Sequence, residues 1–267
     1  EEEISWKPLL TAMELNKDYL KFNKKYSERK IIDYFIKDKK NPSSLVNSLS
    51  YSKENSLVVR DILPEQSILK LNELLITFNK SIIKKNSKKN NLKLLFKIIQ
   101  GSQNFMYSTD LEMQRNIDYQ FLRLGRFLER TDMMIRILQT QVLRSKQHKK
   151  GYEYLTLEWI NILKSISAFQ AYRQYSQQDI SISDIINFFL KTNTFPRSIN
   201  WNLNQIERAT YRISKKNDLI KNVKEIKKDI NKYKIKADSL DNFLLFLEKT
   251  LKKLNILNKQ IQKNYFS

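Results

Sequence analysis

Cysteine is absent from this 267-residue chain, glycine occurs three times and proline four times. Without thiols there is no disulfide, no thiolate metal site and no cysteine nucleophile. The single histidine, His148 in the run SKQHKK, has no second imidazole with which to hold zinc. Three isolated glycines, Gly101, Gly125 and Gly151, cannot form a glycine-rich phosphate loop. So few turn residues also exclude a β-sandwich, a barrel or a doubly wound sheet of this length. No apolar run approaches the ~20 residues that cross a bilayer. No secretory signal is visible in the opening EEEISW, which lacks a methionine, so the cytoplasm is the expected compartment. No metal and no cofactor is expected.

Charge is abundant and one-sided. Lys+Arg 49 against Asp+Glu 28 gives a formal net charge of +21. Only 12 of these cations are arginine and 37 are lysine, in a chain also crowded with asparagine and isoleucine. An AT-rich coding sequence produces that mixture, so the basicity reads first as drift on a solvated surface. A basic composition alone promotes solubility and non-specific attraction rather than a site. Its dispersal, with aromatics confined to apolar seams, argues against a nucleic-acid partner.

Apolar residues recur at steps of three and four from end to end. One stripe runs Ile68, Leu71, Leu75, Phe78, Ile82 behind Pro64. A longer one runs Ile117, Phe121, Leu124, Leu128, Ile135, Leu138, Val142, with Thr131 at the missing step. Others begin at Trp159, Leu219 and Leu240, and shorter candidates cover 9–22, 28–36, 45–62 and 92–107, with one near 203–213. Breaks are placed at 37–42, 63–64, 86–91, 145–151 and 193–198. The pattern predicts an all-α fold, a multi-helix bundle with mostly antiparallel neighbours. It is read as one domain, 1–267, whose last part from residue 215 is lysine-rich.

Lysine is missing altogether between Lys97 and Lys146, where average usage predicts about six or seven. The same stretch holds Arg115, Arg123, Arg126, Arg130, Arg136 and Arg144. Guanidinium presents a planar fork to carboxylate or phosphate and tolerates desolvation better than ammonium. A mostly buried helix with few places for lysine accounts for the gap equally well by counting alone. On a helical wheel Arg126 and Arg130 lie opposite the apolar stripe, flanked by Arg123 and Glu129 and sharing their side with Tyr119, Leu122, Met133 and Ile137. Such a mixed face predicts a helix packed on both sides, with partly desolvated charges that need partners. Gly125, beside Arg126, is expected to admit a second backbone at close range.

Three further segments mix polar groups into apolar patterns. The seam from Trp159 continues in register to Gln170 and Arg173, or else emerges into solvent there. The helix after Asn41-Pro42-Ser43-Ser44 is capped by serine and carries Glu54, Asn55, Arg60 and Asp61. Phe195-Pro196-Arg197-Ser198 precedes a helix, placing Arg197 where an anion site can form.

At these segments the chain resembles the Alpha-E domain family, a bacterial all-helical family named for a Glu-Arg motif. The resemblance rests on NPSSLVNSLSYSKENSLVVRD (41–61), QFLRLGRFLERTDMMIRIL (120–138), WINILKSISAFQAYRQY (159–175) and FPRSINW (195–201), and it covers roughly residues 6–201. Members usually begin with an earlier helix bearing a related GRY-x-ER sequence, so only the second copy of that motif is expected here. Gln170 stands where the family commonly has glutamate. The resemblance implies an accessory partner of a circularly permuted ATP-grasp protein, in the company of transglutaminase-like proteins, within an ATP-dependent amide- or peptide-forming system. It carries over Arg126, Glu129, Arg130 and Asp132; Glu54, Asn55, Arg60, Arg173 and Arg197 join them as candidate ligand-binding residues. The expected function is an accessory module holding an anionic peptide or small ligand, with no assigned catalytic residue. The alternatives are a structural or protein-interaction bundle, a nucleic-acid binder, and an enzyme using Glu54 and Glu129 as acid and base.

Overall fold

The computed structural model describes residues 2–82, 87–147, 152–176, 179–213, 217–235 and 240–266. His148 and Gly151 lie outside the described residues. Thirteen α-helices and no strand occur among the described residues, as the sequence predicts. They fall into two compact units, one comprising 1–17 with 120–267 and the other 18–119.

The second of these contains α3 (Glu28–Ile36), α4 (Leu45–Val58), α5 (Glu65–Ile82) and α6 (Lys88–Glu112), and most of α2 (Asn16–Phe22). Its core gathers Ile36, Leu49, Leu74, Phe78, Leu94 and Ile98. Helices α5 and α6 run antiparallel: Ser67, near the start of one, meets the hydroxyls of Ser108 (3.2 Å) and Thr109 (3.0 Å), near the end of the other. Midway, a Cβ added to Gly101 would lie 2.6 Å from Leu74 Cδ1. The close approach expected at Gly125 therefore belongs to Gly101. At Gly125 an added Cβ meets nothing within 4 Å.

The Asn-Pro-Ser-Ser stretch is structural in the way capping chemistry dictates. Ser44 Oγ accepts the Asn47 N–H at 3.4 Å. Asn41, fully buried, donates to the Tyr34 carbonyl (3.0 Å) and accepts from the Ser43 N–H (3.0 Å), tying the end of α3 to the start of α4.

The other unit contains α1 (Glu2–Ala12), nearly all of α7 (Ile117–Gln147), α8 (Tyr152–Ser165), α9 (Phe169–Tyr175), α10 (Ile182–Lys191), α11 (Ile199–Ile213), α12 (Asn217–Lys232) and α13 (Leu240–Tyr265). Its core includes Leu124, Ile135, Leu138, Val142, Trp159, Leu163, Val223 and Leu247, predicted stripe residues of four helices, together with Leu203 of α11. Thr131 fills its step as expected: it is fully buried and donates to the Phe127 carbonyl at 2.7 Å. Helix α11 is antiparallel to α7, through Arg123 to Gln205 and Phe127 against Trp201. It is antiparallel also to α12, through Asn200 to Asn231 and Glu207 to Lys227.

Two predicted continuities are broken. The 9–22 segment is not one helix, because α1 stops at Ala12 and α2 starts at Asn16. The Trp159 seam does not run on to Arg173, because α8 stops at Ser165 and α9 starts at Phe169. The breaks share one geometry. Glu14 (φ 60) and Ser167 (φ 55) are left-handed. Leu15 N–H returns to the Leu10 carbonyl and Glu14 N–H to Thr11, while Ala168 returns to Leu163 and Ser167 to Lys164. Both are Schellman ends, with the next residue, Leu15 or Ala168, buried against the helix. Helix α10 is not among the predicted segments. Ile185, Ile186, Phe188, Phe189 and Leu190 are buried while Ser183, Asp184, Asn187 and Lys191 form a narrow polar face, so this ten-residue helix is amphipathic and its period is present in the sequence.

Candidate functional site

The Glu-Arg segment lies in the middle of α7, where the register that buries Leu124, Leu128 and Ile135 turns Arg126 and Arg130 the other way. Both arginines are half-buried. With Arg123 they surround one aromatic ring: the guanidinium carbons of Arg123, Arg126 and Arg130 lie 5.6, 5.1 and 5.7 Å from the Phe127 ring centroid. Phe127 is itself buried and meets Trp201 of α11 edge-on at 5.5 Å. A ring face carries partial negative charge, so it attracts guanidinium groups. Arg123 is further oriented by Gln205 Oε1 at 2.7 Å and Gln120 Oε1 at 3.3 Å.

One turn further on, acids and a different arginine take over. Arg136 Nε donates to Asp132 Oδ2 at 2.7 Å, and the two side chains are 14% and 17% exposed. Arg136 also donates to the Ala12 carbonyl at 2.6 Å and reaches Glu14 Oε1 at 3.7 Å. Glu129 has a carboxyl held above the ordinary carboxylate range, by loss of water first and the neighbouring Asp132 second, with Arg136 acting in the opposite direction. Glu129 as a whole residue is nonetheless exposed to solvent.

The remaining candidates lie on other elements. Glu54 and Asn55 are exposed on α4, and Glu54 accepts from Ser50 at 3.2 Å. Arg60 faces its neighbour Asp61 at 3.4 Å with both side chains largely in water, 71% and 92% exposed. These three belong to the 18–119 unit and carry none of the desolvation that makes the α7 charges unusual. Arg173 is exposed in the last turn of α9, where a cation suits the helix carbonyl end. Arg197 is exposed as well, but it donates to the Ile166 carbonyl just beyond α8. Ser198 caps α11 by accepting the Trp201 N–H at 3.1 Å, and Phe195 stacks on Phe188. The FPRS segment thus closes one helix and starts another.

Arg136 and Arg197 do a similar job at the two Schellman ends, Arg136 donating to the carbonyl of Ala12, the last residue of α1, and Arg197 to that of Ile166, the residue after α8. The stabilising role of Arg136 was not legible from spacing, since Ala12 is 124 residues away. Its signal was the lysine-free stretch, which singled out all six arginines without ranking them.

The fold and this helix define an all-helical domain whose central helix bears an arginine-rich, half-buried face around a Glu-Arg pair. The chain belongs to the Alpha-E family, described as a predicted alpha-helical domain with a conserved ER motif, and the match covers residues 1–266. It therefore extends through the lysine-rich helices beyond residue 201. No curated protein and no solved structure matches the chain. No described helix is long and apolar enough to cross a membrane.

Proposed function

We propose that this chain is a binding module that holds an anionic ligand on the α7 arginine face, in the service of an ATP-dependent amide- or peptide-forming partner of the ATP-grasp type. The observation that carries the reading is the convergence of Arg123, Arg126 and Arg130 on the buried Phe127 ring. The ring places three cations on one half-buried patch, while the nearby Asp132 is engaged by Arg136. Charge-assisted hydrogen bonds from such guanidinium groups to a carboxylate or phosphate contribute roughly 1.5–3 kcal/mol each. The raised pKa of Glu129 reflects a loss of water on this part of α7, and the same loss strengthens an arriving anion's contacts.

The test is co-purification of the full chain with its cognate ATP-grasp protein, with and without ATP, for wild type, Arg126→Lys and Arg130→Lys. Lysine keeps the charge but loses the planar fork. Expected is a folded protein with the same helical content whose association weakens roughly tenfold in either variant. Unchanged association in both variants refutes the reading.

A further inference from the structure

A second basic feature lies on the 1–17/120–267 unit, between α7, α11 and α12. It is an open cleft of about 770 Å³ bordered by five cations, Arg123, Arg208, Arg212, Lys224 and Lys227, and by the carboxylate of Glu207. Glu207 is already ion-paired with Lys227, and Arg123 is held by Gln205. Among the described residues Arg208, Arg212 and Lys224 make no ion pair or hydrogen bond.

Stability gives no reason for this grouping. Arg208 and Arg212 stand one turn apart on α11, where like charges repel, and Lys224 adds a third from α12. These two are also the last arginines of the chain: every cation after Arg212 is a lysine. Two guanidinium forks one turn apart on α11, both bordering one cleft, match the oxygens of a phosphate group. A single carboxylate brings one negative charge to three unengaged cations, whereas a triphosphate brings three or more. Tyr211, 69% exposed, stands at the same cleft and offers a flat apolar face beside the charged floor. The volume falls within the ordinary range for small-molecule sites.

We propose that this cleft binds a nucleoside triphosphate, its phosphates between Arg208, Arg212 and Lys224 and its base against Tyr211. The site does not depend on the α7 reading, with which it shares only Arg123.

Isothermal titration of the full chain with ATP, inorganic tripolyphosphate, a glutamate oligopeptide and single-stranded RNA tests this. Expected is binding of ATP and tripolyphosphate, weakened roughly tenfold or more by Arg208→Gln with Arg212→Gln. Tyr211→Ala should lower ATP affinity several-fold and leave tripolyphosphate alone; no selective loss overturns the nucleotide assignment. Arg126→Lys should leave ATP affinity unchanged, and a loss there would move the site to the α7 face and overturn the proposal. The proposal is also overturned by absence of ATP binding at ~1 mM, by a double variant that binds as wild type does, or by preference for the glutamate peptide. Affinity that grows with RNA length without tripolyphosphate binding would overturn it too. Should the double variant not fold, Lys224→Glu replaces it, with the same loss expected.

Discussion

Gly101→Ala and Gly125→Ala make the same chemical change on two helices and are expected to act with opposite sign. In a helix interior alanine is favoured over glycine by up to ~1 kcal/mol. At Gly125 the added methyl meets nothing within 4 Å, so this gain stands. At Gly101 the methyl arrives 2.6 Å from Leu74 Cδ1 and 3.1 Å from both Leu74 Cβ and Cγ. Carbon atoms pack comfortably at about 3.5–4.0 Å, so nearly an ångström must be found. The Cδ1 atom can swing away, but Cβ is fixed to the backbone of α5, and the two helices must part. Overpacking of this kind costs about 1–3 kcal/mol, which offsets the propensity gain and leaves a net loss of about 1 kcal/mol. Urea unfolding followed by circular dichroism measures each variant against wild type. Because the propensity gain is common to both, the difference between variants isolates the packing cost. If Gly101→Ala is as stable as Gly125→Ala, the α5–α6 approach is not as close as described.

Arg136→Met removes the Asp132 pair and the Ala12 contact together; a loss of about 2–3 kcal/mol is expected in chemical unfolding, and a loss below 0.5 kcal/mol would show that α1 closes without it. Glu129→Gln tests the raised carboxyl. Below the ordinary value of 4.5 the group is protonated whether the chain is folded or not. As pH rises through that value the unfolded chain ionises first, so the folded state loses stability until the raised folded pKa is passed. The variant should therefore match wild type near pH 4 and gain relative to it by pH 7, and a gain independent of pH would assign the effect to packing instead.

What the sequence determined by itself was the helical class and the faces of its regular helices. Stripes such as Ile117 to Val142 must be covered, and only helix against helix covers them. The α7 cluster was legible for a related reason: arginine and glutamate mixed with Tyr119, Leu122, Met133 and Ile137 opposite the apolar stripe conflict with an ordinary solvated face. Tertiary structure decided the rest, because it depended on atoms far apart in the chain. Glycine is the usual mark of a Schellman end, and Glu14 and Ser167 stand in its place, held by burial of Leu15 and Ala168 and by arginines from elsewhere. Helix α10 was legible in principle, since Ser183, Asp184, Asn187 and Lys191 step along one face, but it spans only ten residues. Gly101 and Gly125 cannot be told apart in sequence, yet only one meets a neighbouring helix. Arg208, Arg212 and Lys224 come to one cleft only because α11 and α12 pack antiparallel, and spacing along a chain does not record which helix lies alongside.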